Sequence, residues 1–243
     1  MKSDIVRLFQ TLPHPCGYFA ERTAQNLVID PASLHLPRMY AAALAKGYRR
    51  AGGHVYRPHC PGCRACIPAR IPVAEFAPDR SQRRCLARNR DLQLRIAAPA
   101  CNGEYFDLYR RYLGARHRDG GMDDPAAEDF ERFLFTAWSP TKFLELRLRE
   151  RLLAVAVTDF TATGLSAVYT FFDPGESARG LGICAILRQI ELARERGLDY
   201  VYLGFWIARH PKMDYKARFA PLDLYDGADW HRLDRGKSAR DHV

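Results

Sequence analysis

Three closely spaced cysteines form the densest group of chemically reactive side chains in the sequence. Cys60, Cys63 and Cys66 repeat a Cys-x2-Cys spacing, within a total of seven cysteines. In a protein of the reducing cell interior, such spacing is typical of metal binding or redox chemistry rather than of disulfides. Three thiolates are one ligand short of a closed zinc site, and the same spacing resembles part of an iron–sulfur pattern. Zinc, an iron–sulfur cluster and free structural thiols all stay open as interpretations.

Basic residues outnumber acidic ones. The 37 lysines and arginines against 28 aspartates and glutamates give a formal net charge of +9. Because bound lysine and arginine side chains release counterions from phosphates, such a chain suits a polyanionic partner, although a merely basic surface would give the same count. The sequence has no apolar run of about 18 residues that predicts a membrane span, and residues 1–10 lack the apolar segment of a secretory signal. We therefore expect a cytoplasmic protein with no membrane partner.

Hydrophobic periodicity predicts the elements that must position these side chains. Alanine-rich residues 33–46 predict a helix that ends before Gly47, a typical C-terminal cap. Helical spacing of apolar residues predicts two more helices, and alternation then predicts strands, until one amphipathic helix intervenes before the last strand. The two helices cover residues 105–113 and 125–136, and three strands follow at 144–148, 152–158 and 166–172. The amphipathic helix covers 182–196, and the last strand covers 200–207.

This order resembles the acyltransferase fold of the GNAT superfamily. In that fold, the loop after the third of these strands cradles the pyrophosphate of acetyl-CoA with its backbone N–H groups. The sequence Arg179-Gly-Leu-Gly182-Ile-Cys184 stands at that point, although the usual pattern ends in glycine or alanine. The same sequence is also typical of a glycine-rich helix N-terminus that binds no ligand. We expect an α/β (α+β) fold with mixed sheets.

Motifs along nearly the whole chain resemble the arginyl/leucyl-tRNA–protein transferases. In the first half these motifs are Pro15-Cys-Gly-Tyr18, Gly47-Tyr-Arg-Arg50, Val55-Tyr-Arg-Pro58, Cys60-Pro-Gly-Cys-Arg-Ala-Cys66 and Ser81-Gln-Arg-Arg84. In the second half they are Val157-Thr-Asp159, Leu165-Ser-Ala-Val-Tyr-Thr-Phe-Phe-Asp-Pro174, Leu181-Gly182, Tyr202-Leu-Gly-Phe-Trp-Ile207, Pro211-Lys-Met-Asp-Tyr-Lys216 and Phe219-Ala-Pro221. The short length resembles the bacterial aspartate/glutamate leucyltransferases more than the longer eukaryotic arginyltransferases. The resemblance implies a duplicated GNAT-like unit.

The reaction that the resemblance implies is aminolysis of an ester. The α-amine of an acceptor protein that begins with Asp or Glu attacks the carbonyl that links leucine to its tRNA, which marks the product for N-end-rule degradation. Because an α-amine has a pKa of about 8, the enzyme needs little base strength, and positioning with oxyanion stabilisation can carry the rate without a required cofactor. Asp159 and Tyr169 are the candidates for a general base. The interpretation that we favour is that Asp159 caps a turn and Tyr169 packs in the core.

An acidic acceptor residue calls for a fixed cation, and arginine matches a carboxylate with two N–H groups. Arg57, Arg83 and Arg84 lie in the motifs of the first half and are the candidates for acceptor binding, with phosphate binding or plain solvation as alternatives. The candidates for binding the charged tRNA border the expected cleft. They are Gly182, Lys212, Tyr215, Lys216 and Arg218, for which a solvated basic loop is the alternative.

The resemblance adds a fourth thiol to the clustered cysteines, since Cys16 lies in a family motif. The candidate ligands for zinc or an iron–sulfur cluster are then Cys16, Cys60, Cys63 and Cys66, with His54 and His59 as alternatives for the fourth position. Eukaryotic members have a second cysteine where this chain has Phe19, and that departure weakens the case for an inherited metal site.

A joint at Ala97-Ala-Pro-Ala100 predicts an N-terminal cysteine- and arginine-motif domain over residues 1–98 and a C-terminal transferase domain over residues 99–243. Three other functions stay open at this point. One is an arginyl- rather than a leucyltransferase, and another is an N-acetyltransferase that uses acetyl-CoA. The third, a zinc-ribbon RNA-binding module, needs two distant ligand pairs, whereas the chain has one cluster.

Overall fold

The computed structural model describes residues 6–116 and 125–234 of the 243-residue chain. Its helices are α1 (Leu36–Ala45), α2 (Arg80–Arg88), α3 (Gly103–Arg116), α4 (Ala127–Leu134) and α5 (Leu181–Glu195). Its strands are β1 (Leu8–Gln10), β2 (His14–Pro15), β3 (Thr23–Ala24), β4 (Asn26–Ile29), β5 (Arg49–Ala51), β6 (His54–Pro58), β7 (Ile67–Pro72), β8 (Gln93–Ala97), β9 (Thr141–Leu148), β10 (Arg151–Phe160), β11 (Gly164–Phe172), β12 (Tyr200–Trp206), β13 (Asp223–Tyr225) and β14 (Trp230–Arg232). Single 3-10 turns cover Pro174–Arg179 and Asp214–Arg218.

The strands form one large sheet and two small ones. Eight strands make the large sheet in the order β14-β13-β7-β12-β11-β10-β9-β8, and four make a second sheet in the order β1-β4-β6-β5. In the described part of the chain, every pair in the large sheet is antiparallel except β11 with β12. A parallel pair needs a crossover connection, which α5 supplies. The predicted α+β class with a mixed sheet is confirmed.

Local sequence explains why the site-bearing elements begin and end where they do. Asp79 and Gln82 form a reciprocal capping box at the start of α2, each side chain accepting from the other residue's backbone N–H. Gly180 adopts a left-handed conformation, with φ of 65°, just before α5, and Gly197 does so just after it. Strand β10 is buried over almost its whole length, because α5 covers one face of the sheet and α3 with α4 covers the other.

Residues 1–98 contribute to both larger sheets. The four-stranded sheet takes all of its strands from this region, whereas β7 pairs with β12 and β13, and β8 pairs with β9. The large sheet therefore contains strands from both sides of residue 98. The division into domains over 1–98 and 99–243 stays a prediction about regions of sequence. No helix of the described residues is long and apolar enough to cross a membrane.

Candidate active site

The large sheet opens into a cleft between its two parallel strands. Strands β11 and β12 pair only at their beginnings, where Gly164, Leu165 and Ser166 lie opposite Tyr200, Val201 and Tyr202. Beyond these pairs, residues 167–172 and 203–206 have no register with each other among the described residues. Backbone N–H groups along such an open edge can donate hydrogen bonds to the carbonyl oxygen of a substrate.

An arginine and a set of aromatic rings lie beside this cleft. The Cζ atom of Arg49, the first residue of β5, lies 5.4 Å from the ring centre of Phe205 and 5.9 Å from that of Tyr56. The guanidinium also lies against the backbone of Gly204, where a Cβ atom would be 3.4 Å from Arg49 Nη1. The same glycine has a φ of 71°, which L side chains rarely adopt.

Arg49 has no anionic partner in the described part of the chain. Its guanidinium forms neither an ion pair nor a hydrogen bond with any residue of 6–116 or 125–234. Burial lowers the pKa of Arg49, but the nearby phenols of Tyr56 and Tyr18 more than offset this effect, so the pKa lies above its ordinary value. The group therefore stays charged in a largely apolar setting without a carboxylate to balance it.

The 3-10 turn after β12 covers part of the cleft. Its Tyr215 lies within electrostatic reach of Tyr112, Arg49 and Tyr18, and burial raises the pKa of Tyr215 to about 12. The ammonium of Lys216 donates to the carbonyl oxygen of Phe205 and is only 5% exposed. Burial, followed by the charge of Arg49, lowers the pKa of Lys216 to about 7. The role of Lys216 in binding the charged tRNA stays a prediction, and in this structure its ammonium is buried and already bonded to Phe205.

The N-terminal segment reaches the same region. A ring nitrogen of His210, which follows β12, lies 3.2 Å from the carbonyl oxygen of Tyr18, within hydrogen-bonding distance. The His210 ring also meets the rings of Tyr18 and Phe19 edge-on at 5.6 and 5.7 Å. Tyr18 itself is near Arg49, and burial raises the pKa of its phenol. These contacts bring the segment around β2 and β3 to the mouth of the cleft.

Asp159 is a structural residue. Its carboxylate is fully buried and accepts hydrogen bonds from Arg50 Nε at 2.6 Å, Tyr40 Oη at 2.7 Å and Thr141 Oγ1 at 2.6 Å. A second bond from Arg50 Nη2, at 2.9 Å, completes a bidentate ion pair. The general-base role of Asp159 stays a prediction, and the bonds to both of its oxygens favour a structural role. The pair instead joins β5 to β10 across the boundary between the two sheets.

Tyr169 lies on β11 among other rings. Its ring centre is 5.2 Å from that of Phe133 and 6.2 Å from those of Tyr109 and Tyr112, all edge-on. Burial, and then the neighbouring phenols of Tyr112 and Tyr109, raise the pKa of Tyr169 far above its ordinary value. A phenol that holds its proton this tightly is suited to donating a hydrogen bond and unsuited to acting as a base. The general-base role of Tyr169 stays a prediction, and its ring contacts favour the packing interpretation.

The three arginines predicted for acceptor binding lie on different surfaces. Arg57, on β6, places its Cζ 5.2 Å from the ring centre of Tyr48, on the side of the strand opposite to Tyr56 and the cleft. Arg83 and Arg84 are exposed on α2, where Arg83 Nη1 donates to the carbonyl oxygen of Pro78 at 2.6 Å. The structure does not bring the three side chains together into one pocket.

The residues predicted for the donor side are dispersed around the start of α5 and the turn after β12. Gly182, in the first turn of α5, approaches the Phe172 ring so closely that a Cβ atom would lie 3.3 Å from it. Lys212 and Arg218 are exposed, and the Arg218 carbonyl oxygen accepts from Gln82 Nε2 at 3.0 Å. That bond brings the beginning of α2 beside the turn. Arg179 is paired in a bidentate manner with Asp91, at 2.9 and 3.0 Å.

Three of the four candidate metal ligands lie within electrostatic reach of the fourth, Cys66. Burial first, and then the thiols of Cys16, Cys63 and Cys60, raise the pKa of Cys66 to about 12. Cys60 accepts from the backbone N–H of Gln25 at 3.4 Å, and Cys63 accepts from Arg22 Nη1 at 3.3 Å. In the described residues, no three Cys, His, Asp or Glu side chains are arranged to hold a metal ion. Metal binding at these thiols stays a prediction, and we derive no step through a metal.

Sequence reasoning missed Arg49, Tyr18 and Tyr56 as site residues. All three lie in motifs on which the family resemblance depends, so the sequence marked their segments as functional. It did not show which side chains face the cleft. Arg49 and Arg50 are adjacent on a strand and therefore point to opposite faces. One reaches the cleft and the other the buried carboxylate of Asp159.

Comparison with known proteins agrees with this architecture over nearly the whole chain. Residues 14–84 match the family model of the arginine-tRNA-protein transferase N terminus, and residues 104–226 match that of its C terminus. An aspartate/glutamate leucyltransferase of Stenotrophomonas maltophilia (strain K279a) is 56% identical, over 98% of each chain. Relatives of the same name are 52% identical in Xylella fastidiosa (strain 9a5c), over 93% of this chain and 92% of theirs, and 48% identical in Pseudomonas aeruginosa (strain LESB58), over 94% and 97%.

Two solved structures share a looser likeness. The C-terminal domain of a putative lysylphosphatidylglycerol synthetase from Agrobacterium fabrum is 17% identical with a TM-score of 0.49, over 79% of this chain and 66% of that one. The L-PGS structure from Bacillus licheniformis is 13% identical with a TM-score of 0.46, over 73% and 53%. The family models and the full-length relatives settle the classification: this chain belongs to the arginine-tRNA-protein transferase family.

Proposed function

We propose that the chain transfers leucine from Leu-tRNA to the N-terminal Asp or Glu of an acceptor protein, and so marks that protein for N-end-rule degradation in the cytoplasm. The observation that carries the proposal is the open cleft between β11 and β12, with the unpaired cation of Arg49 beside it. The relatives of highest identity given above are named aspartate/glutamate leucyltransferases, and a cleft with a fixed positive charge suits an acidic acceptor.

The chemistry is attack by a neutral α-amine on the ester carbonyl of the charged tRNA. A tetrahedral intermediate forms, its oxygen becomes an anion, and the bond to the ribose oxygen of the tRNA then breaks. The unpaired backbone edge of β11 beyond Ser166 can donate hydrogen bonds to that oxyanion. The attacking amine loses one proton and the departing ribose oxygen gains one, so a water molecule can relay the proton between them, and the reaction requires positioning more than a strong base. No cofactor is needed for these steps, and a metal at the cysteine cluster would serve structure.

The donor tRNA is expected to lie against α2 and the turn after β12. Five exposed arginines follow the outer side of α2 and the residues just beyond it, namely Arg80, Arg83, Arg84, Arg88 and Arg90. In the described ranges none of the five forms an ion pair with a carboxylate. Arg218 extends this surface through the bond between its carbonyl and Gln82. Unpaired arginines on one surface suit a row of phosphates.

A donor test decides between the proposed function and its nearest alternatives. Purified protein would be incubated with an Asp-initiated peptide and, in separate reactions, with Leu-tRNA, Arg-tRNA, Phe-tRNA or acetyl-CoA. The proposal predicts RNase-sensitive transfer from Leu-tRNA at a rate well above the others. Faster transfer from Arg-tRNA would make the chain an arginyltransferase. RNase-resistant transfer from acetyl-CoA would overturn the use of charged tRNA.

A further inference from the structure

We propose that Arg49 is the residue that selects an acidic acceptor, by forming an ion pair with the carboxylate of the N-terminal Asp or Glu side chain. The inference rests on the proposed function and assigns the acceptor specificity to a different residue from the three arginines expected from the sequence. Arg49 is charged and forms no ion pair with the described residues, and its guanidinium lies beside the cleft between the rings of Tyr56 and Phe205.

The surroundings of Arg49 make the absence of a partner costly. The rings of Phe205, Tyr56, Tyr18 and Tyr215 replace much of the water that would otherwise solvate the guanidinium. Removing a charge from water costs several kcal/mol unless an opposite charge compensates it. A second basic group lies nearby, and burial, followed by the charge of Arg49, lowers the pKa of Lys216 to about 7. A region with a half-buried arginine and a buried lysine, and with no carboxylate in contact among the described residues, is complementary to an incoming anion.

The other arginines of this region are already occupied, which singles out Arg49. Arg50, its neighbour, is committed to Asp159, and Arg179 is committed to Asp91 and Glu176. Arg57 stacks over Tyr48 on the opposite side of β6. In the described ranges, Arg49 therefore combines three properties that the acceptor site requires: a fixed charge, a position at the cleft and free N–H groups.

The shape of the setting favours a carboxylate on a slender side chain over a phosphate of the tRNA backbone. Arg49 is the first residue of β5, and its guanidinium lies against the β12 backbone at Gly204, inside a frame of aromatic rings. A single Asp or Glu side chain can enter such a space beside its own reacting amine. The exposed arginines of α2 offer the phosphates a much more open surface. Low local polarity also strengthens the ion pair that forms.

The decisive experiment compares Asp- and Asn-initiated peptides, which are nearly identical in shape. For the wild-type protein and for Arg49→Gln, kcat/KM would be measured for both peptides with Leu-tRNA as donor. Arg49→Gln should lower kcat/KM for the Asp peptide about 100-fold and reduce the preference for Asp over Asn to near one, since losing one partner of a desolvated charge pair has effects of that size. The KM for Leu-tRNA should change less than about twofold.

Two further variants keep the test specific. Arg196→Gln removes an arginine that stacks at 5.0 Å over the Phe160 ring at the far end of α5, and it should leave both peptides unaffected. Arg49→Lys keeps the charge but loses the forked geometry, so it should retain part of the preference for Asp. Because Arg49 loses only its contacts with the rings of Tyr56 and Phe205, and no ion pair or hydrogen bond, the melting temperature of Arg49→Gln should stay close to that of the wild type.

Each outcome bears on one proposal. If the wild-type protein transfers no leucine to the Asp peptide, the proposed function fails. If the wild type is active and Arg49→Gln keeps the preference for Asp over Asn, the assignment of Arg49 is overturned. A variant that loses affinity for Leu-tRNA and keeps the peptide preference would overturn it in favour of phosphate binding. If Arg49→Gln is inactive, calorimetric binding of the two peptides to the folded variant decides: loss of Asp binding alone supports the assignment, and unchanged Asp binding contradicts it.

Discussion

Asp159 and Arg50 illustrate how two ionisable side chains in family motifs can serve the fold. Their pair is completely buried, and Tyr40 and Thr141 supply further hydrogen bonds to the carboxylate. Arg50 also donates to the backbone carbonyl oxygens of Gly52 and Leu134, so its guanidinium is saturated. Such a network stabilises one arrangement of β5 against β10, because either partner alone would be a buried uncompensated charge.

Replacing Asp159 should therefore affect stability before it affects chemistry. Asp159→Asn leaves Arg50 charged and unpaired, and the free energy of unfolding should fall by about 3–5 kcal/mol. Urea denaturation at pH 7 measures this loss. At a temperature where the variant stays folded, its pH–rate profile should keep the acidic limb of the wild type. A stable variant that loses this limb would mean that Asp159 is a general base after all.

A second carboxylate, at the end of β11, should produce a measurable pH dependence. Burial raises the pKa of Asp173, but hydrogen bonds from Arg151 and Arg111 and from the backbone N–H of Gly175 outweigh it and hold the pKa below its ordinary value. Since the folded-state pKa is the lower one, the ionised carboxylate stabilises the fold above about pH 4 and loses this effect as the pH falls through the folded value.

The variant Asp173→Asn isolates that contribution. At pH 7 its free energy of unfolding should be about 2 kcal/mol below that of the wild type, because charge-assisted hydrogen bonds are lost. As the pH falls from 5 to 2, the difference between the two proteins should shrink. Denaturant titrations across this range measure it, and a difference that stays constant would contradict the assignment of the low pKa to Asp173.

The helices and strands of the second half of the chain could be predicted from the sequence. Most of those in the first half could not. Strands β9 to β12 and helix α5 follow clear apolar periods, and the structure confirms them. Strand β7 was hidden because Pro68 and Pro72 interrupt it, and proline lacks the N–H that a central strand uses on both sides. The structure accommodates them because β13 pairs only with Ala69 and Arg70, so neither proline lies in the doubly paired part of β7.

The candidate site was harder to predict than the fold, for a geometric reason. The hydrophobic periodicity of a sequence indicates which residues face the core. It does not indicate where two strands separate to form a cleft, because the separation of β11 from β12 depends on contacts between residues that are distant in sequence. Arg49 reaches that cleft because β5 lies near β11 in the folded protein. The family motifs pointed to the correct segments of chain, and only the structure distinguishes Arg49 from Arg50.

The exposed arginines of α2 should make tRNA binding depend on the salt concentration. Arg80→Ala and Arg84→Ala should each weaken tRNA binding, and each should reduce the slope of the logarithm of the binding constant against the logarithm of salt by about one unit, since one phosphate contact is lost. The preference for acidic peptides should persist. Filter binding from low to high salt provides the slopes. Arg132→Ala on α4, where the arginine pairs with Asp129, is the matched control. Unchanged slopes for both α2 variants would remove α2 from the tRNA interface.

Over the whole molecule, the two halves contribute different sides of one site. The four-stranded sheet supplies Arg49 and Tyr56, and the segment between β2 and β3 supplies Tyr18. The eight-stranded sheet supplies the open edge of β11 and the start of α5. In the proposed function, the acceptor binds on a side of the cleft that comes largely from residues 6–98. The charged tRNA binds on the side that runs from α2 to the turn after β12. Neither half contains the whole cleft.

The most direct test of this account identifies the product of a single reaction. The purified protein would be incubated with Leu-tRNA and an equimolar mixture of two peptides that differ only in an N-terminal Asp or Asn, and mass spectrometry would follow both. We expect the Asp peptide to gain one leucine residue at its N-terminus and the Asn peptide to stay unmodified at matched times. RNase should abolish the reaction. Equal modification of both peptides, or none of either, would contradict the claim that this chain leucylates acidic N-termini.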